Sequence, residues 1–225
     1  VKMQTIWGKP VLDSLDELIA PDRLALVVID MQNDFCHRDG YYGRLGIDMG
    51  DIEAAVARMH DVVRAARAAA VPVIWIRQTL LQEALADSPS WLRRRTRGTL
   101  APEWTLAGDW GHEICAPLVP EPGEPIVDKH RSSAFVGTSL DLILRSQGIQ
   151  KLVIGGVVTQ GCVESTARDA TFNDYYVVML NDCVATVSRE LHEASMLCQS
   201  TRYDFAEAGA VIGGWERHAA AAGRV

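Results

Sequence analysis

Leu24 to Ile29 is an unbroken run of six apolar residues that stops at an aspartate, Asp30. A strand with one wet face alternates apolar and polar side chains. A continuous run of this length therefore reads as a strand buried on both faces. Such a strand demands helices on both sides of its sheet, and the flanking segments supply them. Residues 51–70 place Ile52, Val56, Met59, Val63 and Ala66 on one helical face. Residues 71–76 read as a second strand, with Pro72 acceptable near its start. A short strand at 126–127 runs into Asp128 and Lys129. Residues 138–147 read as a helix, with Thr138 and Asp141 in a capping-box-like start and Gly148 just past the end. Residues 151–155 read as a strand, 162–173 as a helix and 176–180 as a strand. Ser188 is suited to cap a further helix burying Leu191, Ala194, Leu197 and Cys198, and 210–212 reads as a last strand. Strands separated by helices imply an α/β fold: a three-layer αβα sandwich around a central, mostly parallel sheet, Rossmann-like in plan. The expected organisation is an N-terminal arm over residues 1–20 and a single domain over 21–218.

In such folds ligands bind beyond the carboxyl ends of the strands. Asp30, Lys129 and the loop 156–162 all follow predicted strand ends, so they are expected to meet in one crevice. The irregular stretch 77–124 holds three of the six tryptophans and the run Arg93-Arg94-Arg95-Thr96-Arg97. A loop this long in a compact domain is often functional. Trp104 and Trp110 are candidates for a lid or for ordinary loop anchoring. Most of the arginine run is expected to face water or another subunit, with one arginine available to grip an anionic group.

Composition narrows the function classes. The chain has 225 residues and a net charge of −7, with no basic stripe, which argues against a nucleic-acid surface. No apolar run is long enough to span a bilayer, and residues 1–22 lack a signal-peptide pattern, so a cytoplasmic location is expected. The cysteines are Cys36, Cys115, Cys162, Cys183 and Cys198, an odd number with no CxxC pair, which disfavours a disulfide framework or a zinc site.

Cys162 stands out among them. It follows a predicted strand and a Gly-rich turn and opens a predicted helix, where free N–H groups stabilise a thiolate and can hold an oxyanion. Strand, tight turn, nucleophile and helix is also the layout of a nucleophile elbow. A buried packing cysteine is the plain alternative. Asp30, at the end of an apolar strand, can take the thiol proton and return it to a leaving amine; its plain alternative is a solvated strand end or a cap. Lys129 would favour the thiolate and hold the charge of the carboxylate, although most lysines simply face water.

These residues lie in segments that carry a family resemblance: Val28-Ile-Asp-Met-Gln-Asn-Asp-Phe35, Asp128-Lys129 followed by Ser132-Ser-Ala-Phe135 and Thr138, and Gly155-Gly-Val-Val-Thr-Gln-Gly-Cys-Val163 leading into Thr166-Ala-Arg-Asp-Ala170. From about Pro21 to about Trp215 the chain resembles the isochorismatase-like cysteine hydrolases. The resemblance implies an Asp30, Lys129, Cys162 catalytic triad. It also implies a cis peptide at Val158-Thr159, with backbone N–H groups of Val158, Thr159 and Cys162 at the oxyanion. Phe35, Phe135, Gln160 and Trp104 flank these blocks and are candidate substrate-binding residues. His37, His60 and His112 stand apart from one another, so no metal is expected, and no other cofactor.

Leu118-Val-Pro-Glu-Pro-Gly123, residues 139–149 and Cys162-Val-Glu-Ser-Thr-Ala-Arg-Asp169 resemble the ureidoacrylate amidohydrolases, relatives of enzymes that cleave carbamoyl or ureido groups. The resemblance implies a small amide or ureide substrate, a thioester intermediate and a homodimer or homotetramer. Lys129-His130-Arg131 departs from the Lys-Pro of many relatives, which leaves the substrate open. Two other classes stay open: a vinyl-ether hydrolase that does not need the thiol, and a non-catalytic binding protein on the same fold.

Overall fold

The computed structural model describes residues 4–97 and 103–222. A hairpin of β1 (Gln4–Ile6) and β2 (Lys9–Val11) precedes α1 (Leu15–Ile19), which Ser14 and Glu17 start with a reciprocal capping box. The main sheet holds β3 (Leu24–Ile29), β4 (Val73–Gln78), β5 (Ile126–Lys129), β6 (Lys151–Val157), β7 (Tyr176–Ala185) and β8 (Asp204–Ala206). Its order is β5-β4-β3-β6-β7-β8, with every pairing parallel. The strand order reverses between β3 and β6, which opens the crevice where such sheets bind ligands.

All six residues of β3 are buried, and alternate residues enter two cores. Beyond the short helices α2 (Asn33–Cys36) and α3 (Tyr41–Arg44) comes α4 (Gly50–Ala68), and Leu24, Leu26 and Val28 pack with it and with Trp215 of α9 (Ala208–Ala222). Ala25, Val27 and Ile29 pack with α6 (Leu140–Ser146) and α7 (Glu164–Phe172). Helices thus cover both sheet faces, as the unbroken apolar run requires. In α4 the expected stripe of Ile52, Val56, Met59, Val63 and Ala66 is buried throughout.

Several local expectations are corrected. Residues 210–212 are helical within α9, and the last strand is β8. Val211 and Trp215 are buried there, so a helical face packing on the core overrides the strand preference of Val211 and Ile212. Ser188 does cap α8 (Arg189–Gln199), accepting from the Leu191 N–H, but α8 buries Ser195 and Gln199 and exposes Leu191, Ala194, Leu197 and Cys198. Helix α6 has no capping box: Thr138 Oγ1 accepts from the Leu140 N–H, while Asp141 receives Arg145 and the Tyr175 hydroxyl.

Candidate active site

Strand β3 ends at Asp30, whose φ of 51° turns the chain sharply out of the sheet. Aspartate tolerates this left-handed conformation better than most residues, at a cost of about 1–2 kcal/mol. The neighbouring strand makes room for the turn. Gly156 has φ 140°, and a Cβ there would lie 2.0 Å from the Ile29 carbonyl oxygen. Only glycine lets β6 run this close to β3.

Beyond β6 the chain makes a π-helical turn, Thr159–Val163, before α7 begins. Cys162 therefore sits inside this turn, two residues ahead of α7, and not at the first position of a regular helix. The Val163 N–H reaches the Val158 carbonyl at 3.4 Å, the i to i+5 spacing that defines such a turn. The cis peptide lies at Val157–Val158, one residue earlier than the position read from the sequence.

Three side chains meet where these elements converge. Lys129 Nζ lies 2.8 Å from Asp30 Oδ2 and 3.2 Å from Cys162 Sγ. It also donates to Gln78 Oε1 at 2.8 Å and to the Arg131 carbonyl at 3.1 Å. The side chains of Asp30 and Lys129 are almost completely buried. Burial pushes the Asp30 carboxyl above its ordinary value, although Lys129 and the Cys162 thiol beside it pull the other way. Burial would lower Lys129, but Asp30 and Cys162 outweigh it, so the ammonium is held above its ordinary value and stays charged. The Cys162 thiol is pushed up to about 12, first by burial and then by the negative charge of Asp30, with Lys129 opposing. At rest, the proton belongs on sulfur.

The polar residues after Asp30 tie down the long stretch that follows β4. Gln32 donates to the carbonyls of Gln78 and His112 and accepts from the Gln78 N–H. Asn33 donates to the Trp110 carbonyl. Asp34 accepts from the N–H groups of Tyr41 and Thr105. The stretch so held includes α5 (Pro89–Arg95), capped by Ser88 with Pro89 in its first turn.

Asp30 and Cys162 open into a cavity of about 560 Å³. Phe35, Trp104 and Gln160 line it, and so do Gln78, Tyr42 and Trp91. Phe135 does not line it: its ring packs 5.9 Å from that of Tyr175, on the side of the second core. Trp110 is not a lining residue either; it meets His37 edge-on. Sequence reasoning missed Gln78, Tyr42 and Trp91, because only Gln78 has a local signal, its place at the end of a strand.

Among the described residues no three histidine, cysteine or acidic side chains gather as metal ligands. The chain does carry one Asp-x-His triplet, Asp128-Lys129-His130, which reasoning from isolated histidines overlooks. Asp128 pairs with Arg77 at 2.8 Å, and His130 Nδ1 meets the Thr79 carbonyl at 2.9 Å.

Residues 24–206 match the isochorismatase domain. The chain belongs to the isochorismatase family. Among its relatives, this isochorismatase-family chain is 34% identical over 188 residues to ureidoacrylate amidohydrolase RutB of Enterobacter sp. (strain 638), covering 79% of this chain and 82% of that one. A cysteine hydrolase from Pseudomonas syringae pv. phaseolicola superposes with a TM-score of 0.78 at 27% identity, covering 94% of this chain and 99% of that one. N-carbamoylsarcosine amidase from Thermoplasma acidophilum superposes with a TM-score of 0.65 at 26% identity, covering 82% and 96%. The protein is thus an isochorismatase-family hydrolase, and the contact between Lys129 and Cys162 is consistent with a cysteine hydrolase. Among the described residues, no helix is long and apolar enough to cross a membrane.

Proposed function

We propose that the protein hydrolyses a C–N bond of a small amide, ureide or carbamoyl compound through a thioester on Cys162. The observation that carries this reading is the buried contact of Lys129 with both Asp30 and Cys162. A thiol held near 12 needs a base beside it, and a carboxylate raised by burial is a stronger base than an ordinary one. Asp30 takes the thiol proton as sulfur attacks the carbonyl carbon. Lys129 keeps its proton and balances the charge as it passes from carboxylate to thiolate. Backbone N–H groups of Val158, Thr159 and Cys162 are the proposed oxyanion donors; that of Gly161 is already bonded to the Val158 carbonyl. The tetrahedral intermediate collapses, the C–N bond breaks, and Asp30 gives its proton to the leaving nitrogen. Water, deprotonated by Asp30, then cleaves the thioester and returns the proton to sulfur. The relatives named for ureidoacrylate and N-carbamoylsarcosine support this substrate class. A reducing, cytoplasmic setting suits a free thiol nucleophile.

The test is ammonia release from a panel of small amides and ureides, with intact-mass detection of an acyl adduct. At least one panel member is expected to be turned over. Cys162→Ala should lower that rate by about three orders of magnitude or more. Undiminished turnover in the variant would sink the thioester route and favour a thiol-independent hydrolase.

A further inference from the structure

We infer that Arg94 and Arg97 form a carboxylate clamp at the mouth of the cavity, so that its preferred substrates are ureido or carbamoyl acids. This rests on the reading of the cavity as a C–N hydrolase site.

The run from Arg93 to Arg97 separates into distinct roles. Arg93 is exposed and does not line the cavity. Arg95 is buried, ion-paired to Asp87 at 2.6 Å and stacked 4.3 Å from the centre of Trp104, so its charge is spent on the wall. Arg94 and Arg97 both line the cavity and are exposed. They are three residues apart, which puts them on one side of a helical turn, and the Arg97 N–H bonds the Arg94 carbonyl. Among the described residues neither has a carboxylate partner. Arg94 stacks 4.7 Å from the centre of Trp91, which limits its freedom before any ligand arrives.

The charge balance of the cavity points the same way. Its only acidic lining side chain among the described residues is Asp30, which Lys129 already neutralises. The chain as a whole carries −7, so an anion approaching elsewhere meets repulsion. A pair of uncommitted guanidinium groups over the cavity reverses that locally, and their planar donors match a carboxylate. The opposite end of the ligand has its own mark. Gln160 lines the same cavity, and its Oε1 is buried without a protein donor among the described residues. A ureide N–H supplies the donor it lacks. Carbamoyl group at Cys162 and Gln160, carboxylate at Arg94 and Arg97, is the arrangement these groups select.

The experiment is calorimetric titration of the Cys162→Ala chain with N-carbamoyl-β-alanine and with its methyl ester, in which a neutral ester replaces the anionic carboxylate. The acid is expected to bind at least about tenfold tighter, and Arg94→Gln with Arg97→Gln should abolish that preference by weakening the acid alone. Arg93→Gln, outside the cavity, should leave the preference intact. Equal binding of acid and ester, a preference that survives the double substitution, or no binding of the acid would overturn the clamp. The hydrolase reading is judged separately. If the acid binds with the expected preference but the chain with Cys162 intact releases no ammonia from it, that reading fails and the clamp stands. If acid and ester are bound and cleaved equally well, the clamp fails and the hydrolase reading stands.

Discussion

Asp30 opposes, at rest, the ionisation it is proposed to assist, because its negative charge helps hold the Cys162 thiol near 12. Asp30→Asn should therefore separate thiol acidity from turnover. With the charge gone and Lys129 left facing sulfur, the pH profile of iodoacetamide labelling at Cys162 should move to lower pH. Turnover should fall by about two to four orders of magnitude. An unchanged labelling profile would count against the assigned roles. The acidic limb of kcat/KM should likewise lie above the range of an ordinary carboxylate, since activity is lost as pH falls through the raised Asp30 value. Lys129→Met should cost about 3–5 kcal/mol in urea unfolding, because it strands a buried carboxylate. The positions of these residues were legible in the sequence because each lies at or just past the carboxyl end of a strand, and strand ends are where parallel sheets gather polar groups. Tyr42 and Trp91 were not: a single side chain on an irregular segment has no period and no spacing to betray it.

At the scale of elements, α8 bears directly on the turn that carries Cys162. His192 Nδ1 meets Thr159 Oγ1 at 2.9 Å, and Ser195 donates to Glu164 Oε2 at 2.6 Å, so α8 holds that turn at its start and just past its end. Burial keeps the His192 imidazole below the ordinary 6.5. A histidine with a depressed folded value contributes stability above about pH 6.5 that is lost as pH falls towards the folded value. His192→Gln should flatten that part of the pH dependence of the urea midpoint; an identical slope in the variant would exclude His192 as a source. Helix α8 turns its other face inward for a physical reason. Leu191, Ala194, Leu197 and Cys198 share a helical side and look core-facing, but amphipathic spacing states only that a face is apolar, not what covers it. Polar Ser195 and Gln199 took the interior because they have partners there, the serine on Glu164 and the glutamine on the serine. The same limit explains α9, where the short stretch 210–212 reads as a strand but packs as one face of a helix.

For the whole molecule, the two-sided core followed almost directly from the apolar run of β3, and the long segment after β4 did not, because buried polar residues from the first motif hold it in place. If the chain assembles as the expected homo-oligomer, the exposed side of α8, with Leu197 at 73% exposure, is the face to test. Sedimentation should give the mass of two or four copies, and Leu197→Asp should shift it towards one. A single-copy mass for the unaltered chain would exclude that expectation. The glycine-dependent approach of β6 to β3, at Gly156 and Ile29, has a broader consequence. It fixes the separation of the β3 and β6 ends, and so of Asp30 and Cys162, through backbone contact rather than through the segments that wall the cavity. On the proposed reading, the reacting groups and the arginine wall thereby belong to different parts of the chain. On that reading, substitutions at Trp91, Arg94 or Arg97 redraw what the cavity accepts and leave the spacing of Asp30 and Cys162 untouched, so a scaffold of this kind can change diet without relearning its reaction.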